Sequence, residues 1–227
     1  MSSRDGERGR VSSHYDGSRA EEYFAYQRGI GELGAGLNLF KFEPHVRRDD
    51  AIVDFGCGGG GLLERLEAAS KTGVEVSEPA RARARARGLD VVTSLSELDP
   101  GSTDVAISNH ALEHALSPLE ELHALRRVLR PGGKLVLWLP IDDWRSQRVV
   151  GPDPNHHLYT WTPLLLSNLL AEAGFEVAEC RIVTHAWPPY TAHLARLPRP
   201  VFDLLARIWA VLRRRRQLAA VALVPHS

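Results

Sequence analysis

Three groups of residues in this chain have types and spacings that could do chemistry. The first is a bend. Ala51-Ile52-Val53-Asp54-Phe55 is apolar and β-favouring, carries one carboxylate near its end, and breaks into Gly56-Cys57-Gly58-Gly59-Gly60-Gly61, after which Leu62, Leu63 and Leu66 recur at helical spacing. That pattern predicts strand, tight turn, helix. Gly56, Gly58, Gly60 and Gly61 let the backbone take positive φ and approach a ligand closely, and the helix start adds free N–H groups and a partial positive end, the requirements of a nucleotide cradle. The second group is Glu75, about 20 residues further on at the end of the next predicted strand, where a carboxylate can accept two hydrogen bonds from a ribose diol. The third is His110, His114, His156, His157 and Tyr159, candidates for moving a substrate proton because histidine titrates near neutral pH.

Each group also has a plainer reading. Gly56, Gly58 and Gly61 fit the dinucleotide spacing G-x-G-x-x-G, while Gly56, Gly58 and Gly60 fit a looser G-x-G-x-G, so spacing alone leaves the nucleotide open. His114 can order the turn before a helix, and one of His156 and His157 can cap or pack. Adjacent histidines without further Cys, Asp or Glu at ligand spacing do not define a metal centre, and none is predicted. Cys57 reads as a small buried side chain rather than a nucleophile, because no base neighbours it in sequence.

The elements that must position these residues follow from periodicity. After the first strand, a helix is predicted to about Ser70, then a strand over Thr72 to Val76 and a helix from Pro79, with Ser77 or Glu78 as its cap. The alternating Ala-Arg pairs from Ala80 wind around that helix and read as a solvated surface. Leu89 to Thr93 and Asp104 to Ser108 are the third and fourth strands. Leu116, Leu119, Leu122, Leu125, Val128 and Leu129 recur three and four apart, predicting an amphipathic helix that stops at Arg130-Pro131-Gly132-Gly133. Lys134 to Leu139 is a continuous apolar fifth strand, as in a buried parallel sheet. Ile141 to Thr160 reads as a long loop and Thr162-Pro163 opens a helix ending at Gly174. Phe175 to Thr184 is a strand, Pro200 to about Arg215 a helix, and Leu218 to Val224 a last strand. Such alternation predicts an α/β fold: a doubly wound, mostly parallel sheet that binds ligands at the carboxyl ends of its strands.

Composition bounds the rest. The chain has 227 residues, 44% of them hydrophobic and 25% charged, enough for one sizeable core, and its 28 basic and 28 acidic residues balance. No global field draws it to nucleic acid, and no nucleic-acid partner is predicted. Two distant cysteines, Cys57 and Cys180, offer no disulfide framework and suit a reducing cytosol. The polar start lacks the apolar core of a signal peptide, so a cytoplasmic location is expected. Residues 1–18 read as a disordered tail and 19–46 as a glycine-laced helical segment, either a lid or a packing element, with Tyr15, Tyr23 and Tyr26 as pocket candidates. Residues 47–227 form the ligand-binding domain. Val201, Leu204, Leu205, Ile208, Trp209 and Leu212 form an apolar stripe followed by Arg213 to Arg216; it reads either as a helix covering the sheet or as peripheral contact with an acidic membrane surface.

Four stretches taken in order resemble the class I S-adenosylmethionine-dependent methyltransferases, especially the small bacterial group acting on non-polymeric substrates. They are Val53 to Gly60, Gly73 to Ser77, Asp104 to His114, and Arg127 to Leu135, whose Leu-Arg-Pro-Gly-Gly-Lys-Leu turn has no counterpart in the dinucleotide pattern. The resemblance implies a Rossmann-like sheet of seven strands with an antiparallel last strand. It implies S-adenosylmethionine as cofactor, with Asp54, Gly56, Cys57, Gly58, Gly60, Glu75, Val76, Leu95, Asn109 and His110 around it; Leu95 takes the adenine-contacting position, and Asn109 and His110 lie near the methyl group. Ser94 departs from the acid that the family often places there. The implied reaction is methyl transfer to oxygen, nitrogen or carbon of a small-molecule acceptor, a sugar or lipid-linked intermediate among the options, with His110, His156, His157 and Tyr159 as candidate catalytic groups. The rivals are a nicotinamide-dependent oxidoreductase and a cofactor-binding regulatory protein without turnover.

Overall fold

The computed structural model describes residues 32–142 and 156–226. Seven strands form one sheet: β1 (Ala51–Phe55), β2 (Ser70–Val74), β3 (Asp90–Val92), β4 (Thr103–Asn109), β5 (Leu129–Ile141), β6 (Glu176–Val183) and β7 (Arg216–Leu223), in the order β3-β2-β1-β4-β5-β7-β6. β1 to β5 pair in parallel, and β7 runs antiparallel between β5 and β6. The chain order reverses between β1 and β4. That is the switch point at which such sheets open a crevice beyond their strand ends.

The pleat divides the core in two. Val53, Ala106, Leu135, Leu137 and Leu139 face Leu122, Leu125 and Val128 of α4 (Pro118–Val128) and Leu166 and Leu170 of α5 (Pro163–Glu172). Their sequence neighbours Ile52, Val105, Ile107, Val136 and Trp138 point the other way, onto Leu63 of α2 (Gly61–Arg65) and Ala84 of α3 (Glu78–Ala86). Leu122 and Leu125 are fully buried, each adding about 1.5–3 kcal/mol. Residues 32–38 form a helix, α1, whose Leu37 packs on Phe202 and Ala206 of α7 (Arg199–Leu212). A short helix not expected from sequence, α6 (Thr191–Leu194), precedes α7. The expected tail 1–18, and residues 19–31 of the expected lid, lie outside the described residues.

Several boundaries depart from the sequence reading for local reasons. The helix expected to reach Ser70 ends at Arg65, because Leu66 turns extended and Lys71 Nζ donates to the Glu64 and Leu66 carbonyls. β2 therefore begins at Ser70 and stops before Glu75. Leu116 precedes α4 and is exposed rather than part of its buried face. Arg130 to Gly133 do not leave the sheet: Gly132 takes φ +73°, its N–H donates to Val224, and the pairing register slips between Thr103 and Val105 to absorb the extra residues as a bulge.

Candidate active site

The carboxyl end of β1 builds the first half of the site. Gly56, Gly58 and Gly60 all have positive φ, and Gly60 caps α2 in the left-handed region. The bend is anchored to β2 by Gly56 and Cys57 N–H groups on the Val74 carbonyl at 2.8 and 3.2 Å. Glu75 turns toward it. Its carboxylate accepts from Gly58 N–H at 2.9 Å and from Ser77 N–H at 2.8 Å, which leaves a lone pair on each oxygen for a ribose diol. The arginines of α3 and at its carboxyl end are not merely solvated: Arg81 donates to the Glu75 and Val76 carbonyls at 2.8 and 2.6 Å, and Arg87, which caps the helix, to the Gly59 carbonyl at 2.8 Å. Arg83 pairs with Glu32 of α1 at 2.7 Å, and Arg87 also contacts Glu32. The sequence gives no sign of this clamp, because the partners lie up to 55 positions away.

A Cβ placed on these glycines tests whether the bend fits an adenosyl cofactor. At Gly56 it would strike Ala111 Cβ at 2.3 Å, and at Gly60 it would strike Leu89 at 2.5 Å, so those glycines let the turn pack tightly. At Gly58 nothing stands within 4 Å, so the backbone there faces open space. A ligand can therefore meet the Gly58 backbone beside the Glu75 carboxylate, and the residues fit the group. Asp54 is buried beneath the bend, and burial together with Glu75 raises its pKa to about 7, so a cationic amine or sulfonium nearby would favour its charged form. Burial also pushes Glu75 above the usual carboxylate range, against N–H donation from Ser77 and Gly58. Cys57 is buried with its thiol pushed far up, as expected of an inert side chain. Its sulfur would meet a Cβ at Gly73 at 2.4 Å, which explains that second glycine.

The ends of β4, β5 and β7 build the other half. Because β7 is antiparallel, its first residues stand beside the last residues of β5, and Gln217 joins the cleft. Buried Lys41 donates to Asn109 Oδ1 at 3.0 Å and Gln217 Oε1 at 2.9 Å and lies 4.7 Å from the Trp138 ring centre. Desolvation lowers its pKa to about 7. His110, at φ +56°, sets Nε2 3.2 Å from Gln217 Oε1. Burial, followed by the Lys41 charge, lowers its pKa to about 3, so it is neutral and a weak base. Beyond it, Glu113 is fully buried, its pKa raised to about 7 by desolvation, and its Oε1 lies 3.9 Å from His114 Nε2 and 4.0 Å from His157 Nε2. His157 Nδ1 lies 2.9 Å from Asp142 Oδ2, and the His114 and His157 rings meet edge to face.

The structure therefore sorts the expected residues. The Leu95 side chain, expected to meet adenine, is 1% exposed in the α4 core, and its carbonyl accepts from Arg127, so hydrophobic burial has taken the side chain out of the cleft. Val76 is exposed beyond the bend. Tyr159 donates its hydroxyl to the Leu116 carbonyl at 3.0 Å and stacks on Trp161, which occupies the group proposed for proton transfer. His156 takes φ +47° beside His157. Sequence reasoning missed Lys41, Glu113, Asp142 and Gln217. Glu113 stood inside a quoted motif, but neither the lysine nor the glutamine carries a local signal, and sheet topology alone brings them to one place.

The family model described as a methyltransferase domain matches residues 26–179, more than half of the chain. The chain belongs to this family, the class I S-adenosylmethionine-dependent methyltransferases. Among curated proteins it is 35% identical over 121 residues to an uncharacterized 37.1 kDa protein in transposon TN4556 of Streptomyces fradiae, covering 48% of this chain and 34% of that protein. It is 33% identical over 98 residues to the ubiquinone biosynthesis O-methyltransferase of Pseudomonas aeruginosa strain LESB58, covering 38% of this chain and 42% of that one. The chain thus spans less than half the length of these relatives. Its fold is similar to Haemonchus contortus phosphoethanolamine N-methyltransferase 2 in complex with S-adenosyl-L-methionine: TM-score 0.62 at 15% identity, over 95% of this chain and 59% of that one. The cofactor of the methyltransferase family is S-adenosylmethionine, which sets aside the nicotinamide reading of the glycine spacing.

Proposed function

We propose that this chain transfers a methyl group from S-adenosylmethionine to a small molecule, with the acceptor bound between the glycine bend and the ends of β4, β5 and β7. The observation that carries this is that Glu75 and the open Gly58 backbone follow the carboxyl ends of β2 and β1, while the Asp142–His157–Glu113 group lies past the same ends of β4 and β5 in the one sheet. The bound cofactor supplies an electrophilic methyl on a sulfonium, so transfer neutralises charge and is helped chiefly by orientation in a dry pocket. Glu75 and the bend fix the adenosyl end, and Asp54 offers a carboxylate toward its cationic end. Where the acceptor is a hydroxyl, its proton leaves toward the Asp142–His157–Glu113 group, with His157 oriented by Asp142.

Oxygen is the favoured acceptor atom and a lipid-linked molecule the favoured acceptor, for two reasons. The Pseudomonas relative is named an O-methyltransferase of ubiquinone biosynthesis. On α7, Val201, Leu204, Ile208, Val211 and Leu212 are exposed, recur at helical spacing and run into Arg213 to Arg216, a surface suited to an anionic bilayer. Among the described residues no helix is long and apolar enough to cross a membrane. The test incubates an extract of the producing cells with a labelled methyl donor, with and without the protein. A new labelled ether extractable into organic solvent is expected; binding of S-adenosylhomocysteine with no labelled product from any fraction would favour the regulatory reading. Sedimentation with phosphatidylglycerol vesicles, lost in Leu204→Glu with Ile208→Glu, checks the α7 surface.

A further inference from the structure

Among the described residues, Glu113 is a buried carboxylate whose cost the fold leaves unexplained. It is fully buried, and neither carboxylate oxygen has a hydrogen-bond partner among the described residues. An ionised carboxylate in that position needs a compensating charge or donor. Three imidazole nitrogens approach it, His110 Nδ1 and His114 Nε2 at 3.9 Å and His157 Nε2 at 4.0 Å from Oε1, all too far to donate a hydrogen bond, and those of His114 and His157 also lie close to each other. That separation is close to twice a metal–ligand bond of about 2.0–2.2 Å, so one cation can reach Glu113, His114 and His157 after small rotations. The three donor atoms lie within 4.8 Å of one another. His157 shows the second feature of a metal ligand, since its other ring nitrogen is held by Asp142 Oδ2 at 2.9 Å and Nε2 is thereby aimed at Glu113.

We propose that Glu113, His114 and His157 bind a divalent first-row transition cation, with Asp142 positioning His157. Two imidazoles and one carboxylate without a thiolate suit zinc, iron or cobalt rather than calcium or magnesium, which prefer all-oxygen sites. Three protein ligands also leave coordination positions open, as catalytic sites do. Sequence reading predicts no metal here because the ligands come from two stretches 43 positions apart, each too short to show a spacing. The site adjoins the cofactor bend through Ala111, which Gly56 packs against. Resting on the methyl-transfer reading, the open positions take an oxygen of the acceptor. With the cation bound, His157 is a ligand in place of the proton acceptor of the metal-free route: the cation draws electron density from that oxygen, its O–H proton leaves to solvent, and the O–CH3 bond forms as the S–CH3 bond breaks and its electron pair returns to sulfur as a thioether.

The experiment titrates the full-length, chelator-treated protein with cobalt(II) and reads its visible absorption, with S-adenosylhomocysteine binding measured by calorimetry on the same sample. One cobalt per chain is expected, with bands that shift on adding acetohydroxamate, an oxygen-chelating probe. Asp142→Asn should weaken cobalt binding about 10–100-fold, and Glu113→Gln and His157→Gln by more, with thermal melts confirming that each variant is folded. His157→Gln is the safer variant, because Glu113 is fully buried and its variant is the one more prone to misfold. No cobalt spectrum, or cobalt retained equally by His157→Gln, would overturn the site. Cobalt bands indifferent to acetohydroxamate would overturn the open positions and hence the role in holding the acceptor. Homocysteine-cofactor binding without cobalt binding sinks the metal and leaves the methyl-donor reading standing, and the converse result does the reverse.

Discussion

The two halves of the cleft are made differently. On the β1–β2 side, the groups offered to a cofactor are backbone and two carboxylates, Asp54 and Glu75, drawn from residues 54–77, with the bend tied by N–H to carbonyl or carboxylate bonds of 2.8–3.2 Å. On the β4–β5–β7 side, the groups are side chains from Lys41, Asn109, His110, Glu113, Asp142, His157 and Gln217, spread over 176 positions, with Lys41, His110 and Glu113 held at displaced pKa values. A backbone cradle tolerates almost any residue that leaves it room, whereas a side-chain cluster depends on each identity. The difference suits a family with one cofactor and many acceptors.

Substitutions can break or sharpen that contrast. Gly56→Val should be the most damaging, because a branched side chain at φ +78° would drive its Cβ to 2.3 Å from Ala111; a loss of about 3 kcal/mol or more in a denaturant melt is expected, with cofactor binding gone. Gly58→Arg separates the two roles of the bend. Its Cβ meets nothing within 4 Å, so stability should fall by only about 1–2 kcal/mol while calorimetry finds no S-adenosylmethionine binding. If that variant binds normally, the open space at Gly58 is not where the cofactor lies. Glu75→Gln should weaken cofactor binding about 10–100-fold, since a neutral amide loses the charge-assisted hydrogen bonds to the ribose.

A smaller effect comes from pH. Asp54 in the free protein is protonated below about 7, and a bound cation favours its ionised form, so binding releases a proton below that pH. Affinity should therefore weaken as pH falls below about 7, by at most about tenfold per pH unit, and Asp54→Asn should flatten the profile. An unchanged slope in that variant would move the titration to Glu75, its nearest charged neighbour. Tyr159→Phe is expected to do least, with a stability change below about 1 kcal/mol and turnover within about threefold, because its hydroxyl is committed to the Leu116 carbonyl. A hundredfold loss would return it to the chemistry.

What was legible in the sequence follows the same division. The parallel sheet, the glycine bend and Glu75 all rest on contiguous patterns: an apolar run, positive-φ residues and one acid at a fixed interval, whereas the antiparallel last strand came only from the family resemblance. The cap of α5 was equally local, since Thr162 Oγ1 accepts from Leu165 N–H as the Thr-Pro pair predicts. Where the Leu95 side chain lies was not legible, because a leucine offers the same apolar surface to a ligand and to a core, and packing placed it in the core. The α3 arginines read as a solvated face until their carbonyl partners came into view.

By itself, then, the sequence determined the fold family and the cofactor cradle, because hydrophobic period and backbone permissiveness are properties of neighbouring residues. Only tertiary structure decided that Lys41 sits between Asn109 and Gln217, and that Glu113 meets three imidazoles with no hydrogen bond to its carboxylate among the described residues. Strand order sets those meetings, and the cost of burying charge is fixed by what lies across the cleft rather than by what lies next in the chain.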